Sequence, residues 1–251
     1  ILAPRLYAQR YDKNFIEIQD FGNETVFKTL KKKGKNKLSY FNRIIKLLIQ
    51  IQSIKHRKVK NFRNQNYIIP KYDKKILINE ANLFCDWYAK NNLSKLRKKR
   101  FCKKFKKIIK ELTLKLKLKD NIFVHRDFHV SNLMSVKNQI GLIDSQDALI
   151  GNKAYDLASL IDDVRLKTSY SFKEKIFKFY IKKQKNLDIK KFKNDFEILS
   201  VLRNLKIIGI FTRLALRDRK KNYLKFIPYT WQLINMRIDQ NRTFIDLKNL
   251  L

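Results

Sequence analysis

The sequence predicts an α+β protein that is mostly helical and carries one β-hairpin near its middle. Apolar residues recur at every third and fourth position over most of the chain, as they do in helices packed on a core. The exception is the centre, where the short apolar runs Phe123–Val124 and Ile140–Ile143 enclose a polar stretch, as two strands around a loop do. The 251 residues are enough for one large domain or two small ones.

The first predicted element is a strand followed by a break. Residues 14–20 alternate between apolar and polar side chains as a half-buried strand does, and Gly22 ends that strand. Asn23 is the expected N-cap of a short helix that ends at Leu30. The basic segment 31–37 then serves as a linker.

Helices are predicted on both sides of the central hairpin. Between the first two, residues 56–71 are polar and predict no regular structure. In the last helical segment Arg203, Arg213 and Arg217 are assigned to the polar side. The predicted helical segments are residues 38–54, two helices that begin behind the N-caps Asp73 and Ser94, residues 157–161 and residues 172–240.

The chain is strongly basic, with 58 Lys and Arg against 22 Asp and Glu and a formal charge of +36. The basic residues are spread along the chain and accompany many Ile, Asn, Phe and Tyr. All of these have A/T-rich codons, so genome composition accounts for much of the charge, and we do not expect a nucleic acid as partner. The use of only two cysteines and the lack of a secretory signal fit the cytoplasm. No apolar run reaches the about 20 residues of a membrane span.

The central polar stretch contains residue types that catalyse group transfer. His125-Arg126-Asp127 is followed after four residues by Asn132, and Asp144 stands at the end of the next apolar run. This is the spacing of the catalytic loop and metal-binding Asp of kinases, in which a carboxylate contacts the acceptor hydroxyl while an amide and a carboxylate bind the metal of Mg-ATP. The alternative is a hairpin whose polar loop only satisfies its own backbone. Because three spacings agree, phosphoryl transfer is favoured.

The strand and break at the start of the chain are arranged like the hinge between the lobes of a kinase. Adenine would pair there with backbone groups near Ile18 and Gln19. An ordinary strand-to-helix connection explains the same residues equally well. No glycine precedes Gly22, so the chain is not expected to contain a glycine-rich phosphate loop.

The central motif resembles the aminoglycoside phosphotransferase family, the small-molecule branch of the protein-kinase-like fold. Within it, the chain looks most like the bacterial kinases of cell-wall recycling that phosphorylate the anomeric hydroxyl of N-acetylmuramate and N-acetylglucosamine. Aminoglycoside kinases often carry Gly where this chain has Arg126. The resemblance covers nearly the whole chain, and the further segments that carry it are Leu83–Tyr88, Gly141–Ala148, Ala154–Leu160 and Arg203–Arg213.

The resemblance implies ATP and Mg²⁺ as cofactors and a role for each candidate residue. Asp127 would be the general base or the orienting carboxylate, and Asn132 and Asp144 would bind Mg²⁺ and thereby ATP. His125 and Asp156 would brace the loop, with Asp156 either a simple helix cap or an acceptor for loop N–H groups. The other candidates, in the catalytic loop or near the substrate, are Arg126, His129, Gln146 and Asp147.

The resemblance also implies the organisation of the chain. Residues 1–22 would be a truncated N-lobe (strand and hinge), and residues 23–251 a mainly helical C-lobe that carries the catalytic hairpin. Because the family has further strands that cover the nucleotide phosphates, we expect residues 1–251 alone to be inactive. An amino sugar is the expected substrate. A kinase for aminoglycosides, choline or homoserine and a non-catalytic basic binding module remain alternatives, and the sequence does not indicate an oligomeric state.

Overall fold

The structure, a computed structural model, describes residues 1–32, 36–60 and 63–251. It confirms the α+β class. The strands are β1 (Leu6–Arg10), β2 (Phe15–Ile18), β3 (Lys58–Lys60), β4 (Asn66–Ile68), β5 (Asp120–Val124), β6 (Leu133–Val136), β7 (Gln139–Leu142) and β8 (Leu149–Asn152). The α-helices are α1 (Val26–Lys31), α2 (Lys37–Gln52), α3 (Lys74–Leu83), α4 (Lys90–Asn92), α5 (Lys95–Leu114), α6 (Tyr155–Ile161), α7 (Tyr170–Lys182), α8 (Ile189–Leu216), α9 (Ile227–Ile238) and α10 (Ile245–Leu250).

The chain forms two compact units. Unit 1 contains residues Ile1–Lys71 and Lys119–Asn186, and unit 2 contains Tyr72–Leu118 and Leu187–Leu251. All strands of the described residues lie in unit 1, whereas unit 2 is helical. A lobe boundary after residue 22 remains our proposal. Among the described residues, no helix combines the length and the apolarity that crossing a bilayer requires.

Unit 1 begins with a hairpin that the sequence analysis only half predicted. The predicted strand is β2, and it pairs antiparallel with β1, for which no strand was expected. Large apolar side chains of both strands are exposed, such as Tyr7 at 59% and Ile16 at 50%. Because neither face of β1 is buried, its sequence shows no clear alternation, and this explains why it was missed.

The central strands form two antiparallel pairs, β5 with β8 and β6 with β7. Backbone from the start of the chain binds both outer edges of the β6–β7 hairpin. The N–H of Leu142 donates to the carbonyl of Leu2 (2.9 Å), and the N–H of Ser135 donates to the carbonyl of Glu24 (2.8 Å). Gly141 fits this crowded place because a Cβ there would lie 2.8 Å from the Phe21 ring.

The helix α1 starts two residues later than predicted. Its N-cap is Thr25, whose hydroxyl accepts from the N–H of Lys28 (3.2 Å), so the assignment of Asn23 as the cap was wrong. The backbone carbonyl of Asn23 instead accepts a hydrogen bond from the Lys28 ammonium group (2.8 Å). The two ends of the predicted linker, Lys31 and Lys37, belong to α1 and α2. Residues 33–35 lie outside the described residues.

The helix α2 is confirmed, and it is tied to the rest of unit 1 through a buried amide. The Gln52 side chain accepts from the Tyr180 hydroxyl (2.7 Å) and donates to the carbonyl of Lys153 (2.9 Å). The segment 56–71 is not irregular, since β3 and β4 pair within it; residues 61 and 62 lie outside the described part. Strands of three exposed residues give no apolar alternation from which to predict them.

Unit 2 packs α3, α5, α8 and α9 around an aromatic and aliphatic core. The predicted N-cap Asp73 is confirmed, since its carboxylate accepts from the N–H of Ile76 (2.9 Å). A very close contact joins α3 to α8, because a Cβ on Gly209 would lie 2.4 Å from the backbone of Leu83. Immediately after this contact the chain forms a π-helix, Phe84–Ala89.

The last third of the chain is helical but not continuous. The predicted run 172–240 is divided into α7, α8, a 3-10 helix (Lys221–Phe226) and α9. Asp188, whose carboxylate accepts from the N–H of Lys191 (3.0 Å), is the N-cap that starts α8. The assignment of Arg203 to an exposed polar side was wrong, because this residue is 4% exposed.

Candidate active site

The candidate catalytic residues lie on two connections of the central strands. His125 to Asn132 link β5 to β6, and Ile143 to Ala148 link β7 to β8. The Asn132 amide joins the two connections, since its Nδ2 donates to the carbonyl of Asp127 (3.1 Å) and to Oδ2 of Asp144 (3.1 Å). The structure therefore brings together the residues that the spacing pattern singled out.

Side-chain oxygen atoms lie close together at the contact between Asn132 and Asp144. Because Nδ2 of Asn132 makes both hydrogen bonds, its Oδ1 atom is left for a cation. Asp144 is exposed and has a left-handed backbone (φ 67°), and its Oδ1 accepts from Nε2 of Gln146 (2.6 Å). An amide oxygen beside an exposed carboxylate is the kind of donor set that Mg²⁺ takes from proteins.

No protein-only metal cage accompanies this pair. Within the described part of the chain, no cluster of three or more His, Cys, Asp or Glu could hold a metal ion. A magnesium ion bound together with nucleotide phosphates needs only one or two protein ligands, and Asn132 and Asp144 can supply two. The residues present therefore fit the expected group.

The carboxylate of Asp156 binds the backbone at the start of the catalytic loop. Its carboxylate is 1% exposed and accepts from the backbone N–H groups of His125 (2.7 Å) and Arg126 (3.0 Å). Of the two alternatives from the sequence, the inward one is thus observed. These bonds fix Arg126 in a left-handed conformation (φ 73°), which a residue with a Cβ rarely adopts.

The Arg126 side chain leaves the loop toward the second connection. Its Nη1 donates to the backbone carbonyl of Asp147 (3.2 Å). The contact uses the backbone of Asp147 and not its side chain. No pattern of residue types in the sequence could therefore indicate it. Its carboxylate, like the Gln146 amide, is exposed.

His125 is fully buried. Its Nε2 lies 3.1 Å from the carbonyl of Ile143, so this nitrogen must carry the hydrogen, because a carbonyl only accepts. Burial lowers the pKa of the imidazole, although the Ile143 carbonyl and the charges of Asp127 and Asp144 act in the opposite direction. The ring packs edge-on against Phe128. The His125 side chain therefore links the β5–β6 connection to the β7–β8 connection and is shielded from solvent.

The middle of the loop is a tight turn around Asp127. Its carbonyl accepts from the N–H of His129 (3.0 Å), and the carbonyl of His129 accepts from the N–H of Asn132 (2.9 Å). Asp127 is partly exposed, whereas His129 is buried. The assignment of Asp127 as the general base remains a proposal. The assignment of His129 to the catalytic loop or to substrate contact also remains a proposal.

The two predicted adenine contacts lie elsewhere in unit 1, at the end of β2. Ile18 pairs with Leu6, and the N–H of Gln19 donates to the carbonyl of Arg5 (2.8 Å). Adenine would therefore have to use backbone groups other than the Gln19 N–H. These residues remain proposed nucleotide contacts.

The fold and this loop geometry define a class, the small-molecule kinases with a protein-kinase-like fold. The chain belongs to the phosphotransferase enzyme family (APH), whose sequence profile matches residues 18–186. Membership of this family and its kinase relatives make the chain an ATP-dependent small-molecule kinase.

Curated relatives narrow the comparison. The chain is 28% identical to the N-acetylmuramate/N-acetylglucosamine kinase of Pseudomonas aeruginosa, over 99% of this chain and 72% of that protein. It is 27% identical to the kinase of the same name from Neisseria meningitidis, over 90% of this chain and 67% of that protein. The recognised family resemblance is thereby confirmed.

Solved structures agree on the fold. A choline/ethanolamine kinase family protein from Mesorhizobium loti superimposes with a TM-score of 0.63 at 9% identity, covering 99% of this chain and 77% of that one. Plasmodium vivax ethanolamine kinase gives 0.60 at 14% identity, covering 94% and 67%. An ADP-bound aminoglycoside phosphotransferase, APH(2'')-Ib, gives 0.56 at 16% identity, covering 94% and 77%.

Proposed function

We propose that the protein transfers a phosphoryl group from Mg-ATP to the anomeric hydroxyl of an N-acetylated amino sugar. The observation that supports transfer is the contact between Asn132 and Asp144 beside the Asp127 loop. The sugar is supported by the curated relatives, which are kinases for N-acetylmuramate and N-acetylglucosamine. We place the reaction in the cytoplasm, where ATP is available.

In this proposal each polar group of the loop has one task. Asn132 Oδ1 and the Asp144 carboxylate hold the Mg²⁺, which neutralises phosphate charge when bound. The Asp127 carboxylate orients the sugar hydroxyl and accepts its proton. A positioned base contributes about 10²–10⁴-fold to such a rate, and positioning supplies much of the rest.

The remaining loop residues keep these groups in place. Asp156 fixes the backbone before Asp127 through two N–H groups. Arg126 and His125 bind carbonyls of the β7–β8 connection, which carries Asp144. The metal ligands and the base therefore belong to one hydrogen-bonded network, and its rigidity reduces the cost of reorganisation during transfer.

The test uses the protein expressed from its complete reading frame, with ATP and Mg²⁺. N-acetylglucosamine and N-acetylmuramate should each gain one phosphoryl group by mass, whereas the methyl glycoside of N-acetylglucosamine, whose anomeric oxygen is blocked, should gain none. Gentamicin, choline and homoserine complete the panel. Transfer only to one of these three, or equal transfer to the methyl glycoside, contradicts the proposal.

Two loop variants separate the roles. Asp127→Asn should lower the rate by about 10²-fold or more at every Mg²⁺ concentration, because an amide cannot accept the proton. Asp144→Asn should instead raise the Mg²⁺ concentration needed for half-maximal rate, so excess Mg²⁺ restores part of the activity. Near-normal rates in both variants would show that the assigned roles are wrong.

A further inference from the structure

The two cysteines of the chain, Cys85 and Cys102, lie against each other within unit 2. They stand 17 positions apart in the sequence, with Cys85 in the π-helix and Cys102 on α5. Both side chains belong to the same apolar core, and the two thiols are in hydrogen-bonding contact. Because residues 1–251 contain no third cysteine, each thiol has one possible disulfide partner among them.

Aromatic packing holds together the two helical segments that carry these thiols. The residues immediately before the cysteines, Phe84 and Phe101, pack with their ring centroids 6.2 Å apart. Phe84 also stacks on Phe105, one turn further along α5, with a centroid distance of 5.2 Å. Because these rings fix the π-helix against α5, the core of unit 2 keeps the two thiols beside each other.

The two thiols differ in their access to solvent. Cys85 is 2% exposed, whereas Cys102 is partly exposed. Burial raises the pKa of the Cys85 thiol far above its usual range; the Cys102 thiol and the charge of Asp86 act in the same direction, and the charge of Lys106 opposes them. Cys85 therefore stays protonated near neutral pH, and a buried thiol of this kind is inert toward dissolved reagents. Reaction with an oxidant in solution must begin at Cys102.

We propose that Cys102 is a site of oxidation by a hydroperoxide and that Cys85 converts the oxidised form into a disulfide. In the first step the Cys102 sulfur attacks one oxygen of hydrogen peroxide, the O–O bond breaks, and Cys102 becomes a sulfenic acid while water leaves. In the second step the Cys85 sulfur attacks the sulfenic sulfur, the S–O bond breaks, and a second water molecule carries away the thiol proton. Two thiols thus lose two electrons in total, and the peroxide is reduced to two molecules of water.

The placement of Cys85 suits the second step. A disulfide bond of about 2.05 Å forms between side chains that already face each other, and the contact between the two thiols meets this condition. A sulfenic acid with a thiol beside it condenses to a disulfide, which thiol reductants reverse, whereas further oxidation to the sulfinic acid is irreversible. Disulfides that form in a reducing compartment are usually transient and redox-sensing or catalytic. The reaction uses side chains of unit 2 alone and is independent of the proposed phosphoryl transfer.

The experiment exposes the reduced protein, expressed from its complete reading frame and kept dilute, to hydrogen peroxide. Peptide mass spectrometry after alkylation should find a peptide pair linked through Cys85 and Cys102, lighter by two hydrogens than the two reduced peptides. Dithiothreitol should restore both thiols. In Cys85→Ser and in Cys85→Ala, which places no hydroxyl in the core, Cys102 should instead give a sulfenic acid that dimedone traps.

Two control variants test the order of the steps and the need for contact. In Cys102→Ser, Cys85 should react with peroxide at least about 10-fold more slowly than Cys102 does in Cys85→Ser, because it is buried. Ser94→Cys combined with Cys102→Ser moves the second thiol to an exposed position at the start of α5. The new thiol should oxidise but yield at least about 10-fold less linked peptide with Cys85, because the core does not hold the two together.

The remaining outcomes overturn the proposal. Oxidation of Cys102 in the wild type to the sulfinic acid without a linked pair would show that Cys85 does not resolve the sulfenic acid. A linked pair found only in covalent dimers would place the reaction between molecules. Equal reactivity of the two thiols, or equal linking from position 94, would remove the role of burial and contact. Two thiols that both stay reduced under peroxide would show that Cys102 is no oxidation site.

Discussion

Replacement of Asp156 tests the physical basis of the catalytic loop most directly. The carboxylate is 1% exposed and accepts from the N–H groups of His125 and Arg126. Hydrogen bonds to a charged group contribute about 1.5–3 kcal/mol each, so the two together contribute about 3–6 kcal/mol. Relief of the carboxylate's own burial offsets part of this. We expect Asp156→Ala to lower the free energy of unfolding by about 3–4 kcal/mol.

Asp156→Asn serves as the matched variant of equal size. Its side chain has one acceptor oxygen instead of two, so one loop N–H loses its partner, and the expected loss is about 2 kcal/mol. Asp147→Asn is the control, because its carboxylate is exposed, and it should stay within about 0.5 kcal/mol of the wild type.

Urea unfolding measures these losses, and hydrogen exchange at the His125 and Arg126 amides localises them. Both amides should exchange faster in Asp156→Asn, while amides of α8 keep their protection relative to global unfolding. A free energy of unfolding for Asp156→Ala within about 0.5 kcal/mol of the wild type would refute the reasoning. It would mean that the loop keeps its conformation without the two bonds.

Three other changes have expected outcomes. Gly209→Ala should destabilise unit 2 by about 1–2 kcal/mol in urea unfolding, because a Cβ would lie 2.4 Å from the Leu83 backbone and the gain in helix propensity offsets only part of this; a stabilised variant would contradict the contact. Arg126→Gly should leave stability within about 1 kcal/mol, because glycine relieves the left-handed strain while losing the contact to the Asp147 carbonyl; a loss above about 3 kcal/mol would contradict this. For His125, burial lowers the pKa of the imidazole in the folded state. Just below the unfolded-state pKa of about 6.5, the unfolded state therefore takes up a proton that the folded state does not. The free energy of unfolding is thus highest above this pH and falls as the pH decreases. The urea midpoint should therefore drop from pH 7.5 to 5.5, and His125→Gln should flatten that drop; an equal drop in the variant would assign it to other groups.

The candidate site was legible in the sequence because its residues are close together along the chain. Asn132 follows Asp127 within one loop, and Asp144 lies two residues after the end of β7, the strand that pairs with β6, so the spacing of the three residues was enough to place them together. Asp156 was found as one of two alternatives, since a helix-start Asp can bind either its own helix or a neighbouring loop. The geometry decided for the loop.

The elements that were missed depend on information from outside their own segments. The strands β1, β3 and β4 are short and mostly exposed, so burial leaves no pattern in them. The π-helix begins where the Gly209 contact brings α8 against Leu83, which is 126 residues away in sequence. Arg203 reads as a surface residue because charge usually means exposure, and only packing shows that it is buried.

The left-handed backbone at Arg126 means that glycine would also suit this position. Glycine adopts a φ of 73° without strain. In this chain, the hydrogen bond from the Arg126 guanidinium to the Asp147 carbonyl offsets part of the cost of the strained conformation. The two residues are therefore alternative solutions for the same turn before Asp127.

The occupied edges of the β6–β7 hairpin decide where this protein can associate with itself. Unpaired strand edges are templates for strands of other molecules, but the two outer edges of this hairpin already bind backbone near Leu2 and Glu24. Apart from Ile1, the exposed large apolar side chains of residues 1–18 belong to β1 and β2 instead. Aggregation at high concentration should therefore begin at residues 6–18, and protein in early oligomers should keep an intact catalytic loop. Loss of protein from solution and loss of nucleotide binding would then follow separate time courses.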